Sequence, residues 1–249
     1  GRGETRKPWA LRNRLLRKLR TVQFRPQVRD ARSEDAVLVI GEPACDPALY
    51  PPLPAARTEA QAVAEALSGS NGLGSERVFT LIGDEELPGP DAATVMNALL
   101  ARPYRIVHIA GHGEPELIEP GRPPQLRGVV LSDGTFLGPR EVEAMRVVPE
   151  LVFLNCCHLA ADPRQLLQGY DRAAFAAGVA KQLIRIGVRC VVAAGWAVED
   201  DAANQFAVAF YRALLGGQRF MDAVQAGRVA AYEASPGGNT WAAYQCYGD

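Results

Sequence analysis

The feature that most limits the folds open to this chain is a set of short apolar runs that do not alternate with polar residues. Ala36-Val-Leu-Val-Ile-Gly41, Arg105–Ala110, Leu151–Asn155 and Cys190–Ala194 are such runs, each bounded by glycine or a polar residue. A strand with one wet face alternates, so an unbroken run predicts a strand covered on both faces. Val78–Ile82 is a further strand. Between the strands lie helical stretches at about Ala55–Leu67, with Ala62, Val63, Ala66 and Leu67 inward, and from an Asp91 N-cap to Leu100. Others follow at about Phe175–Ile186, Ala202–Leu215 and Phe220–Ala234. Strands alternating with helices predict an α/β fold, a mostly parallel sheet sandwiched between helices.

The connections carry their own signals. Pro43–Pro54 is dense in proline and must be loop, as must Glu114–Arg127 and the polar stretch Ala160–Arg172. Val129–Leu131 and Thr135–Leu137 flank Ser132-Asp133-Gly134, a hairpin turn with Asp133 as a turn residue. Pro139 opens a short helix to about Arg146.

A length of 249 residues suits one α/β domain with a short appendage, and hydrophobic and charged shares of 48% and 22% suit a full core. No run of eighteen or more apolar residues is present, so no membrane span is expected. The chain shows no secretory signal and starts at Gly1, which reads as part of something longer. Its five cysteines have no framework spacing, and Cys156 and Cys157 are too close for a strain-free bridge, so free thiols in a reducing cytoplasm are expected.

The net charge of −1 hides a split. Residues 1–33 hold eleven Lys and Arg against Glu4 and Asp30, a net of +9 that leaves −10 for the rest. Leu11, Leu15 and Leu19 recur at helical spacing, predicting a basic amphipathic helix from Trp9 to about Val22. Such a segment either meets an anionic lipid, nucleic acid or acidic partner, or is a linker resting on the acidic domain that follows. The second is the more economical, because charge runs are usually solvated faces. We therefore place a basic linker at 1–35 and the domain at 36–249, with nucleic acid not expected as a partner of the domain.

All three histidines lie in or beside the strand runs: His108 and His112 in His-Ile-Ala-Gly-His-Gly113, and His158 after Cys156-Cys157. Neighbouring parallel strands deliver such residues to one sheet edge, where open α/β folds place their chemistry. A thiol nucleophile needs an imidazole to take its proton and return it to the leaving amine. His108 lies inside its strand and reads as a core histidine; His112 lies just past the strand end. Cys156 and Cys157 point to opposite sides of a regular strand, and Cys157 reaches further from the edge. Glycines on both sides of His112 let the backbone bend around a bound carbonyl. The Gly113 and Cys157 amides then serve as oxyanion donors.

From Ala36 to Asp249 the chain resembles a CHAT-type caspase-like peptidase domain, related to separases and caspases. The resemblance rests on Val37–Pro43, Leu53–Glu59, Val107–Gly113, Leu131–Gly134, Leu151–His158, Val191–Asp200, Phe210–Gly216 and Trp241–Gly248, in that order. It puts the family's histidine at His112 and its cysteine at Cys157. Cys156 stands where alanine is commoner, and His158-Leu159 replaces an acidic-then-hydroxyl pair. Trp196 to Asp200 resembles a segment that lines the pocket for the residue before the cut, where Asp200 would pair with a substrate Arg or Lys; an N-cap for the following helix explains Asp200 equally well. The resemblance implies a cofactor-free cysteine endopeptidase acting on protein substrates. It also implies regulation by a sensor or partner, in settings that include bacterial defence. If the pocket prefers basic residues, Arg122, Arg127, Arg164 and Arg172 mark loops open to self-cleavage.

Three rivals weigh less. A zinc site would need adjacent strand cysteines to share one tetrahedral ion. Dinucleotide binding would need a glycine fingerprint that Gly41-Glu-Pro-Ala-Cys lacks. A silent scaffold that binds partner proteins would have no use for the His112 and Cys157 pair.

Overall fold

The unbroken apolar runs become neighbouring strands of one six-stranded sheet. The structure, a computed structural model, describes residues 7–18, 29–70, 72–84, 89–114, 127–138, 141–142, 144–145, 147–158 and 172–248, with the backbone alone at 29–30, 157–158 and 172–175. Its helices and strands in chain order are α1 (Trp9–Arg12), β1 (Arg29–Asp30), β2 (Ala36–Gly41), α2 (Pro54–Ser68), β3 (Val78–Ile82), α3 (Ala92–Ala101), β4 (Tyr104–His112), β5 (Val129–Val130) and β6 (Phe136–Leu137). They continue with β7 (Val147–Val148), β8 (Leu151–His158), α4 (Arg172–Arg185), β9 (Cys190–Ala194), α5 (Asp200–Leu215), α6 (Phe220–Ala234), α7 (Thr240–Ala243) and β10 (Tyr244–Tyr247).

The main sheet has the order β10-β9-β8-β4-β2-β3. All its pairs are parallel except β9 with β10, which is antiparallel. One face, with Leu38, Ile40, Val107, Ile109, Val152 and Leu154, packs on α3 and α4. The other, with Val37, Val39, Ile106, Phe153 and Val192, packs on α2, α5 and α6. Burial on both sides is why these strands read as continuous apolar runs. The expected hairpin is present: β5 and β6 pair antiparallel, and Asp133 turns between them at φ +57. Asp91 caps α3 by accepting the Thr94 N–H at 2.7 Å.

Several expectations need correction. The α2 stripe is Glu59, Ala60, Val63 and Leu67, with Ala62 and Ala66 only half buried. That register lets Gly41 lie against the helix: a Cβ added there would come within 2.4 Å of the Ala60 Cβ. β4 and β8 run on through His112 and His158 rather than stopping at Ala110 and Asn155. The predicted Trp9–Val22 helix is one turn, α1, and Asn13 is already extended. Arg17 instead pairs in parallel with Tyr247, its N–H donating to the Cys246 carbonyl at 2.8 Å. Pairing with the edge of β10 outweighs the leucine spacing. The strand β10 itself was not anticipated. Of the helix expected at Pro139–Arg146, residues 141–142 are helical and 139–140, 143 and 146 lie outside the described residues, as does most of the 160–172 loop.

Candidate active site

β4 and β8 are neighbours, so the residues at their C-terminal ends meet at one edge of the sheet. Their register pairs Ala110 with Asn155 and then His112 with His158. Between those rungs β4 advances two residues and β8 three, so Cys156 and Cys157 together oppose Gly111. This is a bulge, a device that ends regular pairing and re-aims the strand. The expectation that Cys156 and Cys157 alternate strictly assumed a regular strand, and the register shift replaces that assumption. Cys156 is 3% exposed and belongs to the α3 and α4 face, its Sγ 4.0 Å from the Ile109 carbonyl. It is part of the core. Of Cys157 and His158 the backbone is described, at the end of β8 beside His112.

His112 is also 3% exposed, with Nε2 2.8 Å from the Pro51 carbonyl oxygen. A carbonyl only accepts, so Nε2 carries a proton, and Nδ1 is the ring nitrogen able to exchange one. The Tyr50 ring lies 5.3 Å from the imidazole. The loop that brings Tyr50 and Pro51 here is closed at its base by Glu42, which leaves β2 at φ +48. The Glu42 carboxylate accepts the Leu53 N–H at 2.6 Å and Arg57 Nε at 2.9 Å. Neither glycine beside His112 adopts a positive φ, and Gly111 acts by space, since a Cβ there would sit 2.9 Å from Pro43 Cδ. Gly113 opposes Val129 in a bridge closed by the neighbouring Glu114 N–H, which donates to Gly128 at 2.8 Å. In such a pair the opposed residues' own amides are not the ladder's donors.

His108 is a core histidine, as expected. Its partners were not foreseen. Nε2 lies 3.3 Å from Glu59 Oε1, close but not aligned as a hydrogen bond, and Nδ1 lies 3.2 Å from the Tyr211 hydroxyl. Asn155 Nδ2 donates to the other Glu59 oxygen. Burial, with Glu59 close by, pushes the Tyr211 hydroxyl far above its ordinary range. The one signal in the sequence was an acid, Glu59, on the inward stripe of a helix.

A cleft of about 680 Å³ is lined by Cys45, Tyr50, Glu114, Arg127, Asp133 and Phe136 among others, and Tyr50 is its link to His112. Glu114 is buried and held by the Arg127 guanidinium and the Tyr50 hydroxyl. Arg127 is thus committed to an ion pair; Arg122, Arg164 and the side chain of Arg172 lie outside the described residues. The Cys45 thiol is pushed up to about 11, chiefly by burial and then by Glu42 and Asp46, so it is no nucleophile near neutrality.

Asp200 is the first residue of α5 and is exposed. The N-cap is Glu199, without a side-chain cap bond, so α5 does not use Asp200 as its cap. Asp200 and Asp201 in the first turn are favoured by the helix dipole. The loop before them leaves β9, the strand next to β8, and is pinned where Trp196 Nε1 donates to Asn239 at 3.1 Å. Among the described residues no three His, Cys, Asp or Glu side chains converge as metal ligands, and no helix is long and apolar enough to cross a membrane.

A mostly parallel six-stranded sheet, helices on both faces, and strand ends that bring a histidine and a cysteine to one edge define the caspase-like class of α/β fold. Within that class the chain belongs to the CHAT domain family, whose model matches residues 8–249. Its fold is similar to that of the Arg-specific cysteine proteinase gingipain R, at TM-score 0.50 and 14% identity over 87% of this chain and 46% of that one. The complex of Porphyromonas gingivalis RgpB pro- and mature domains is similar at TM-score 0.51 and 13% identity, over 87% and 47%. A structure described only as a protease is similar at TM-score 0.51 and 13% identity, over 87% and 48%. The chain thus spans just under half the length of these proteins, and at this identity the likeness is one of fold. No curated protein matches the sequence.

Proposed function

We propose that this CHAT domain is a cysteine endopeptidase with Cys157 and His112 as its catalytic pair. The observation that carries the reading is the Pro51 carbonyl on His112 Nε2. It orients the imidazole and fixes the tautomer in which Nδ1 can take a proton, at the strand end adjacent to that of Cys157. Cys157 gives its proton to His112 and its sulfur attacks the scissile carbonyl. The Gly113 and Cys157 amides stabilise the oxyanion. His112 then protonates the leaving amine, and a water activated by the same imidazole hydrolyses the thioester, returning the thiol. Burial of Cys156 in the core supports Cys157 as the nucleophile.

The substrate is a protein cut after Arg or Lys, with Asp200 pairing with the basic side chain. Support comes from an exposed carboxylate that its helix does not use as a cap, and from the Arg specificity in the name of the similar gingipain. The chemistry calls for no cofactor. The domain acts as the effector part of a larger regulated protein in a reducing cytoplasm, switched by a sensor region or partner; the family resemblance supports this, including for bacterial defence.

Fluorogenic peptides varied at the residue before the cut test the reading. Turnover is expected in the wild type and in Cys156→Ala and absent in Cys157→Ala. Asp200→Ala is expected to reduce the preference for Arg and Lys over neutral residues about tenfold or more, the scale of a lost charge-assisted contact. An unchanged preference removes Asp200 from the pocket. Binding of partner proteins with no turnover by any form supports a silent scaffold instead.

A further inference from the structure

One carboxylate ties together the two strands that carry His112 and Cys157 at their C-terminal ends. Glu59, on α2, is 2% exposed among apolar neighbours. It meets Asn155 on β8 through one oxygen and His108 on β4 through the other, and His108 in turn contacts Tyr211 on α5. All four residues are buried. The contacts fall at particular points along the strands. His108 is four residues before His112, and Asn155 is two residues before Cys157. Asn155 is also the last regular rung of β8 against β4, immediately before the extra residue of the bulge. A bulge adds freedom where a nucleophile needs a fixed place, and reaction rates fall steeply when reacting groups are misplaced by about an ångström.

We infer that Glu59 is a positioning residue. By anchoring Asn155 and His108 to α2, it fixes where the β8 bulge begins relative to β4, and so sets Cys157 against His112. The inference rests on those two residues being the catalytic pair.

The test compares wild type with Glu59→Ala, Glu59→Gln, Asn155→Ala and His112→Ala. The readouts are kcat and KM on a cleaved peptide, and the pH profile of Cys157 alkylation by iodoacetamide, followed by peptide mapping. Glu59→Ala and Asn155→Ala are expected to lower kcat at least about tenfold with KM within about twofold. Their alkylation profiles are expected to move toward that of an ordinary thiol. Glu59→Gln keeps an oxygen for Asn155 and is expected to recover part of both effects. If Glu59→Ala fails to fold, Glu59→Gln and Asn155→Ala carry the same expectation in smaller measure. Variants that melt at lower temperature yet keep wild-type kcat and alkylation profile would show a purely structural carboxylate and overturn the inference. A His112→Ala protein whose profile matches wild type would overturn the catalytic pair itself, and the inference with it.

Discussion

The chemistry turns on which of the five thiols can ionise. Cys246 is buried, and burial pushes its thiol up to about 12. Cys45 lines the cleft next to Tyr50, yet burial and two carboxylates hold it at about 11. At pH 7.5 its thiolate fraction is roughly three orders of magnitude below one. We predict that Cys45 resists alkylation near neutrality and becomes reactive only as pH approaches 11, as peptide mapping of the native protein would show; rapid labelling at pH 7.5 contradicts this. The sign for folding follows. A thiol whose folded value lies above its unfolded value near 9 favours the fold below pH 9, and that contribution fades as pH rises through 11. At this scale the sequence singled out His112, by its place at a strand end, and Cys157, by its reach beyond the sheet edge, as the pair proposed here. It concealed the partners, since the Pro51 carbonyl and the Glu59 carboxylate reach their histidines only through tertiary structure.

The strand β8 links packing to chemistry at the scale of elements. Phe153, fully buried, stands among the rings of His108, Phe206, Phe210, Tyr211 and Tyr244, with His108 at 4.8 Å. Two residues later comes Asn155, and two after that Cys157. Phe153→Ala is predicted to cost about 3–5 kcal/mol in urea unfolding; a loss under about 1 kcal/mol contradicts the account of this core. The strands were readable because burial on both faces leaves unbroken apolar runs, and Asp91 was readable as a cap because capping is local. The bulge was not readable, since register belongs to two strands at once. Of the α2 stripe Val63 and Leu67 were readable, but its other two inward residues include an acid, Glu59, that only the neighbouring strands explain.

At the scale of the whole molecule, residues 7–18 and the last strand meet at one edge of the sheet. β10 completes the sheet, and the N-terminal segment covers it: Leu11 is buried, Arg17 pairs with Tyr247, and Arg228 donates to the Leu15 carbonyl at 2.8 Å. Arg14 pairs with Asp222 on α6. Residues 7–18 of the basic segment thus lie against α6 and β10, and the family match begins at residue 8. Deleting residues 1–18 is predicted to destabilise the domain by about 2 kcal/mol or more, the scale of exposing one buried leucine and a strand edge; an unchanged melting temperature would show the segment to be a passenger. Composition could not show this, because leucine spacing suggests a helix and pairing with β10 exists only in the fold. The central claim, a Cys157 nucleophile activated by His112, is tested most directly by mapping the adduct of an electrophilic Arg-containing peptide probe. A single adduct on Cys157 is expected, formed quickly by wild type and lost in His112→Ala. Adduct on another cysteine, or equal labelling without His112, would contradict it.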